Sequence, residues 1–252
     1  DISGVGTARN DAQATEYGGD KGIFGFGHDG SATAVTNLVS NAGVVASDVS
    51  GVGTARYYLA GCHYSTDKGI FGFGTTGSYV SMTNLVSNAG VVATDTTGVG
   101  TARQKLAACE YGGDKGIFAY GNTGSSVSMS NLVSNAGVVA TDVTGVGTAR
   151  DMLEACDYGG DKGIFAYGTG VTNISNLVNN SGVIGSDVTG VGTARQDLGA
   201  CEYGGDKAIF GYGYNGSAFV SMTNLVSNTG VVGTDVSGVG TVRTGATACS
   251  FN

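Results

Sequence analysis

The 252-residue chain contains no proline and no tryptophan, and only two histidines. Without proline, every tight turn has to be made by Gly, Asn, Asp, Ser or Thr. With His28 and His63 alone, and neither in a GxSxG or HExxH setting, the common hydrolytic constellations are absent. Basic residues are also scarce. There are 12 Lys and Arg against 20 Asp and Glu, for a net charge of −8. That balance argues against nucleic acid as a partner, because phosphate binding needs clustered positive charge. No run approaches the ~20 apolar residues of a membrane helix, so no membrane partner is expected. No signal peptide is visible. The chain does not start with Met and starts inside a repeat, as expected of a processed product or a piece of a longer array.

What the chain does have is repetition. GVGTAR occurs at Gly4, Gly51, Gly98, Gly145 and Gly190, and GVGTVR at Gly238. The preceding Asp residues (Asp1, Asp48, Asp95, Asp142, Asp187, Asp235) are 47, 47, 47, 45 and 48 residues apart. A fixed period of this size indicates a repeat architecture. Eleven of the 12 basic residues belong to it. Arg9, Arg56, Arg103, Arg150, Arg195 and Arg243 close the GVG phrase, and Lys21, Lys68, Lys115, Lys162 and Lys207 each follow an Asp; Lys105 alone lies outside. Each Arg sits eight residues after a repeated Asp, so a paired structural role is expected for these Arg with Asp48, Asp95, Asp142, Asp187 and Asp235.

The third copy shows the internal pattern. Residues 104–111 form an apolar, alternating run; 112–114 (GGD) are a turn; 115–121 (KGIFAYG) a second run; NTG a tip; 126–133 a third run; SNAG a turn; and 137–143 (GVVATDV) a fourth run. Short runs at this spacing, with no helical periodicity, read as all-β. Four antiparallel strands per repeat is the unit of a β-propeller blade. The expectation is a single domain of five four-stranded blades, about 7–50, 54–97, 101–144, 148–189 and 193–237, with 238–252 as a surplus C-terminal strand. A β-solenoid is the alternative. All length differences between copies fall between the second and third runs, as hairpin tips allow.

The run R…apolar…GGDK-I-F-x-Y/F-G resembles kelch-type β-propeller repeats, although here the Gly pair precedes the second strand and Trp is missing. The wording DKAIFGYG…NLVSNTGVV…GVGTAR also resembles tandem-repeat proteins of bacteriophage and environmental metagenomes. In geometry, five repeats of this length resemble five-bladed invertebrate lectins.

Little chemistry is visible. GxGxxG at Gly25–Gly30, Gly72–Gly77 and Gly211–Gly216 spans a strand end and a tip, not a strand and a helix, so no dinucleotide site is expected. Cys62, Cys109, Cys156, Cys201 and Cys249 share one repeat position, without metal-ligand spacing, and are expected to be free. No metal, cofactor or catalytic residue is assigned. The non-repeated acids Asp11, Asp29, Glu16, Glu110, Asp151, Glu154, Asp157, Asp197 and Glu202 mostly lie on or beside the first run; some of them are expected to line a central channel and give it negative potential, with a cation site there as the minor alternative to a solvated acidic surface. The copies differ most at the tips, which makes His28, Asp29, Thr75, Thr76, Asn122, Thr123, Tyr214 and Asn215 the candidate ligand surface, with glycans as candidate partners. Asn173, Asn179 and Asn215 head N-x-S/T sequons. The surplus strand is a pairing template through which copies can associate. The functional expectation is a non-enzymatic structural or adhesive protein of an extracellular fibre or virion appendage, with a carbohydrate-binding propeller as the alternative.

Overall fold

A computed structural model describes residues 4–250. Each repeat folds into one three-stranded antiparallel sheet. The first holds β1 (Gln13–Tyr17), β2 (Lys21–Gly25) and β3 (Thr36–Val39); the second β4 (Ala60–Tyr64), β5 (Lys68–Gly72) and β6 (Thr83–Val86). The third holds β7 (Ala107–Tyr111), β8 (Lys115–Ala119) and β9 (Ser130–Val133); the fourth β10 (Glu154–Tyr158), β11 (Lys162–Ala166) and β12 (Ser175–Val178). The fifth holds β13 (Gly199–Tyr203), β14 (Lys207–Gly211) and β15 (Thr223–Val226). The YGGD turn sets the register of the first hairpin, so that Tyr111 faces Lys115 and Cys109 faces Ile117.

These five separate three-stranded sheets replace the expected propeller of four-stranded blades. The fourth run does not become a strand. In the third repeat it meets β9 at two isolated bridges, Val133↔Val139 and Ser130↔Val143. Three residue steps on β9 thus face four on the returning run, and the extra residue breaks the ladder as a bulge does. The displaced stretch carries Asp142, whose carboxylate turns to other work. It accepts from the Thr101 backbone N–H at 3.0 Å and the Thr101 hydroxyl at 2.6 Å. It also accepts from the Asn131 amide at 2.9 Å. The same clamp recurs at Asp48, Asp95, Asp187 and Asp235, joining the two ends of each repeat.

The Arg residues hold the layer beneath. Arg103 is fully buried. Its Nε donates to the Tyr120 carbonyl at 2.8 Å, and its terminal nitrogens donate to the Thr101 carbonyl at 3.1 Å and to Asn131 Oδ1 at 2.7 Å. Its guanidinium also lies 4.3 Å from the ring centre of Phe73, in the preceding sheet. Arg56, Arg150, Arg195 and Arg243 stack likewise on Phe26, Tyr120, Tyr167 and Tyr212. The carboxylate nearest Arg103 is Asp142, at 4.0 Å, at the far end of its own repeat and not the Asp eight residues before it.

Cores form between sheets, not within them. β8 is buried on both faces. Ile117 packs with Leu153 and Phe165 toward the fourth sheet, and Phe118 with Ala60 and Phe73 toward the second. This two-sided burial explains why KGIFA reads as continuously apolar, and it makes each sheet depend on its neighbours, as in repeat proteins.

The first strands pack in sequence, β1 on β4, β4 on β7, β7 on β10 and β10 on β13. The C-terminal segment then occupies a sixth position between β13 and β1. There, Gly245 N–H donates to the Asp197 carbonyl at 3.0 Å, and the Thr247 hydroxyl bonds Gln13. A Cβ at Gly22 would lie 2.6 Å from Cys249 Sγ, as one at Gly116 would lie 2.7 Å from Cys62 Sγ. Cys249 therefore stands to the first sheet as Cys62 stands to the third. Among the described residues this segment forms no named strand and carries no sheet of its own, so the expected surplus strand is an irregular segment.

Candidate functional site

Six chain segments converge on a central axis, and the residues they place there differ between copies. At one end lie Asp11, Tyr58, Lys105, Met152, Asp197 and Gly245. All six have positive φ, between 52° and 62°. Such a conformation costs a non-Gly residue roughly 1–2 kcal/mol. Here it aims the N–H of the last five at the equivalent carbonyl in the preceding copy. Tyr58 donates to Asp11, Lys105 to Tyr58, Met152 to Lys105, Asp197 to Met152 and Gly245 to Asp197, at 2.8–3.3 Å. Lys105, the one basic residue outside the repeat pattern, lies with Nζ 4.6 Å from the Tyr58 ring centre. Its charge pulls against the burial that raises the carboxyls of Asp11 and Asp197, the latter to about 6. Deeper in, burial pushes Glu154 up to about 8.

The other end is different. The residue after each Cys, or after Thr15 in the first copy, points to the axis. In order these are Glu16, His63, Glu110, Asp157, Glu202 and Ser250. They line a cavity of about 40 Å³ with no Lys or Arg in its wall. Ser250 spans the seam, donating to Glu16 and, at 3.1 Å, to Glu202. The ligand atoms of His63, Glu110 and Asp157 lie within 4.8 Å of one another. His63 Nδ1 is 3.9 Å from Glu16 Oε2. Burial pushes Glu110 up to about 7 against the pull of His63. For His63, burial alone would lower the pKa, but Asp157, Glu16, Glu110 and Glu202 together carry it above its ordinary value. The cysteines alternate with these residues along the strand and face away, Cys62 Sγ toward Gly116. All five are free, and burial is the first cause of the upward shift of every thiol.

The tip residues singled out from sequence are spread around separate repeats and are not gathered at one point. His28, Thr75, Asn122 and Tyr214 each bridge to the residue after an Arg. Thr75 is buried; Asn122 donates to Asp151 at 2.8 Å; Asn215 accepts from the backbone N–H groups of Ser217 and Ala218. Asp29 and Thr76 are exposed, and Thr123 is half-buried. Of the sequon residues, Asn179 is exposed and the Asn173 amide donates to the Gly192 carbonyl at 2.9 Å.

No protein-family model matches the chain, and no curated protein sequence matches it.

Proposed function

We propose that this chain is a non-enzymatic structural or adhesive protein that assembles with copies of itself through the two faces flanking its sheet-less sixth position. The observation carrying this reading is the loss of cover at those faces. Ile23, Ile70, Ile117 and Ile164 are fully buried against the next sheet, yet Ile209 in β14 is only half-buried. Phe71, Phe118, Phe165 and Phe210 are fully buried against the preceding sheet, yet Phe24 in β2 is only half-buried. A groove of about 550 Å³, lined by Val5, Phe24, Val44 and Val45 among others, opens on that side of the first sheet. At the positions equivalent to Phe24, Val45 and Ile209 the same surfaces are sheet-to-sheet cores in the interior repeats, so a sheet edge from a second copy matches their chemistry. The C-terminal segment is seated in its own molecule, so the proposed association uses the faces beside it and not the segment itself.

Sedimentation over a concentration series tests this. The chain is expected to associate, Val44→Lys in the groove to block association, and Val138→Lys at the equivalent site of the third repeat to leave it intact. A chain that stays monomeric at high concentration, or two variants that behave alike, overturns the proposal.

A second reading, glycan binding at the tips, is favoured by the exposed rings there. Tyr79 is 40% exposed beside Asn122, and Phe219 is 52% exposed against Tyr214. A glycan array without binders removes it.

A further inference from the structure

Four carboxylates and one imidazole converge on a narrow axial cavity whose wall holds no Lys or Arg. Glu16 and Glu202 are tied to Ser250. The remaining three, His63, Glu110 and Asp157, lie on β4, β7 and β10, the first strands of three consecutive repeats. Glu110 is 97% buried (3% exposed), and its Oε1 is sealed from solvent with no hydrogen-bond partner among the described residues. An orphaned buried carboxylate oxygen is costly and calls for a partner. The Glu110 carboxylate belongs to a trio, with His63 and Asp157, whose ligand atoms lie within 4.8 Å of one another. The opposite end of the axis also gathers carboxylates, but there Lys105 supplies the positive charge.

We propose that His63, Glu110 and Asp157 form an axial binding site for one divalent transition-metal cation of the Zn²⁺ class. One imidazole with two carboxylates is a mixed nitrogen–oxygen donor set, which suits Zn²⁺ over Ca²⁺ or Mg²⁺. Cys62 and Cys109 turn their sulfurs to the neighbouring sheets, so the set stays free of thiolate. The cavity, at about 40 Å³, holds a single ion with little water. Glu16, 3.9 Å from His63, and Glu202 stand beside the trio as outer carboxylates that orient the imidazole and offset the charge of the ion. A bound cation would cross-brace the second, third and fourth repeats at the axis, where each contributes one ligand.

The test uses the full chain, stripped with a chelator and titrated with ZnCl₂ against a chromophoric competitor. The expected result is one Zn²⁺ per chain, with affinity at least about tenfold lower in Glu110→Gln and in His63→Ala. A millimolar excess of Ca²⁺ should not displace it. Thermal melts keep the result independent of folding defects. Glu110→Gln keeps the shape of the side chain and removes a buried carboxyl whose Oε1 has no hydrogen-bond partner among the described residues, so the metal-free variant should melt no lower than the parent while losing the Zn²⁺-dependent rise in melting temperature. The absence of saturable binding, unchanged affinity in both variants, or displacement by Ca²⁺ overturns the proposal.

Discussion

Replacing Arg103 with Met tests how the repeats are held together. The substitution removes the donors to the Tyr120 carbonyl, the Thr101 carbonyl and Asn131 Oδ1, and the cation stacked on Phe73. Each acceptor left without a partner costs about 1–3 kcal/mol, and the lost stacking about 1–2 kcal/mol. Offsetting these, Met keeps much of the apolar packing and no guanidinium has to be desolvated. The same desolvation drags the Arg103 pKa down to about 10, against the pull of Asp142. The net expectation is a loss of about 4 kcal/mol. The chain carries its own control. Among the described residues Arg9, in the first copy, makes one hydrogen bond, to the Thr7 carbonyl at 3.3 Å, and has no preceding sheet to stack on. Arg9→Met should cost about 1 kcal/mol or less. Urea unfolding followed by circular dichroism compares the two. Losses within 1 kcal/mol of each other would refute the account of Arg as an inter-sheet brace.

Other consequences can be checked alongside it. Asp142→Ala removes the clamp on Thr101 and Asn131 and should cost about 2–3 kcal/mol by the same unfolding assay. Ile117→Ala should cost about 3–4 kcal/mol, whereas Ile209→Ala, at a half-covered position, should cost about half of that in the unassociated chain. Stability should fall at both ends of the pH scale. Burial holds Glu154 and Asp197 protonated in the folded chain, up to about 8 and 6, so folding takes up protons and stability declines as pH rises from about 5 to 8. At Asp142 burial alone would raise the carboxyl, but hydrogen bonds from Thr101 and Asn131 outweigh it and hold it low. Its contribution is present above the ordinary carboxylate range and is lost as pH falls below it. Melting temperatures across pH 3–9 would show this dome, and a monotonic rise toward pH 8 would contradict it.

The order of strands was legible because turn chemistry and apolar runs agree. GGD (Ser65-Thr66-Asp67 in the second copy) and the tip glycines bound a run of Ile, Phe and a further Phe or Tyr, and the structure puts β2, β5, β8, β11 and β14 there. The fourth run was not legible, because GVVATDV has strand composition and its failure depends on one extra residue relative to β9, which only the folded register exposes. The partner of each Arg was hidden for a related reason. Arg103 and Asp142 are 39 residues apart, and the nearer Asp in sequence is already engaged by another repeat's Thr. The axial end did leave a signal. The residue after each Cys is polar in every copy although its neighbours are small or apolar, and the copies vary there among Glu, His, Asp and Ser. Variation at a position aimed at one axis assembles a mixed set of donors, which a residue-by-residue reading of the acids alone does not show.

The C-terminal segment fills the sixth position of its own molecule, and a single substitution tests this placement. A Cβ at Gly22 would stand 2.6 Å from Cys249 Sγ, within reach of a disulfide. The Gly22→Cys variant, oxidised mildly and mapped by non-reducing peptide mass spectrometry, should yield a disulfide between positions 22 and 249 of the same chain. A link between chains, or a free thiol at position 22 under conditions that oxidise an exposed control cysteine, would contradict the account.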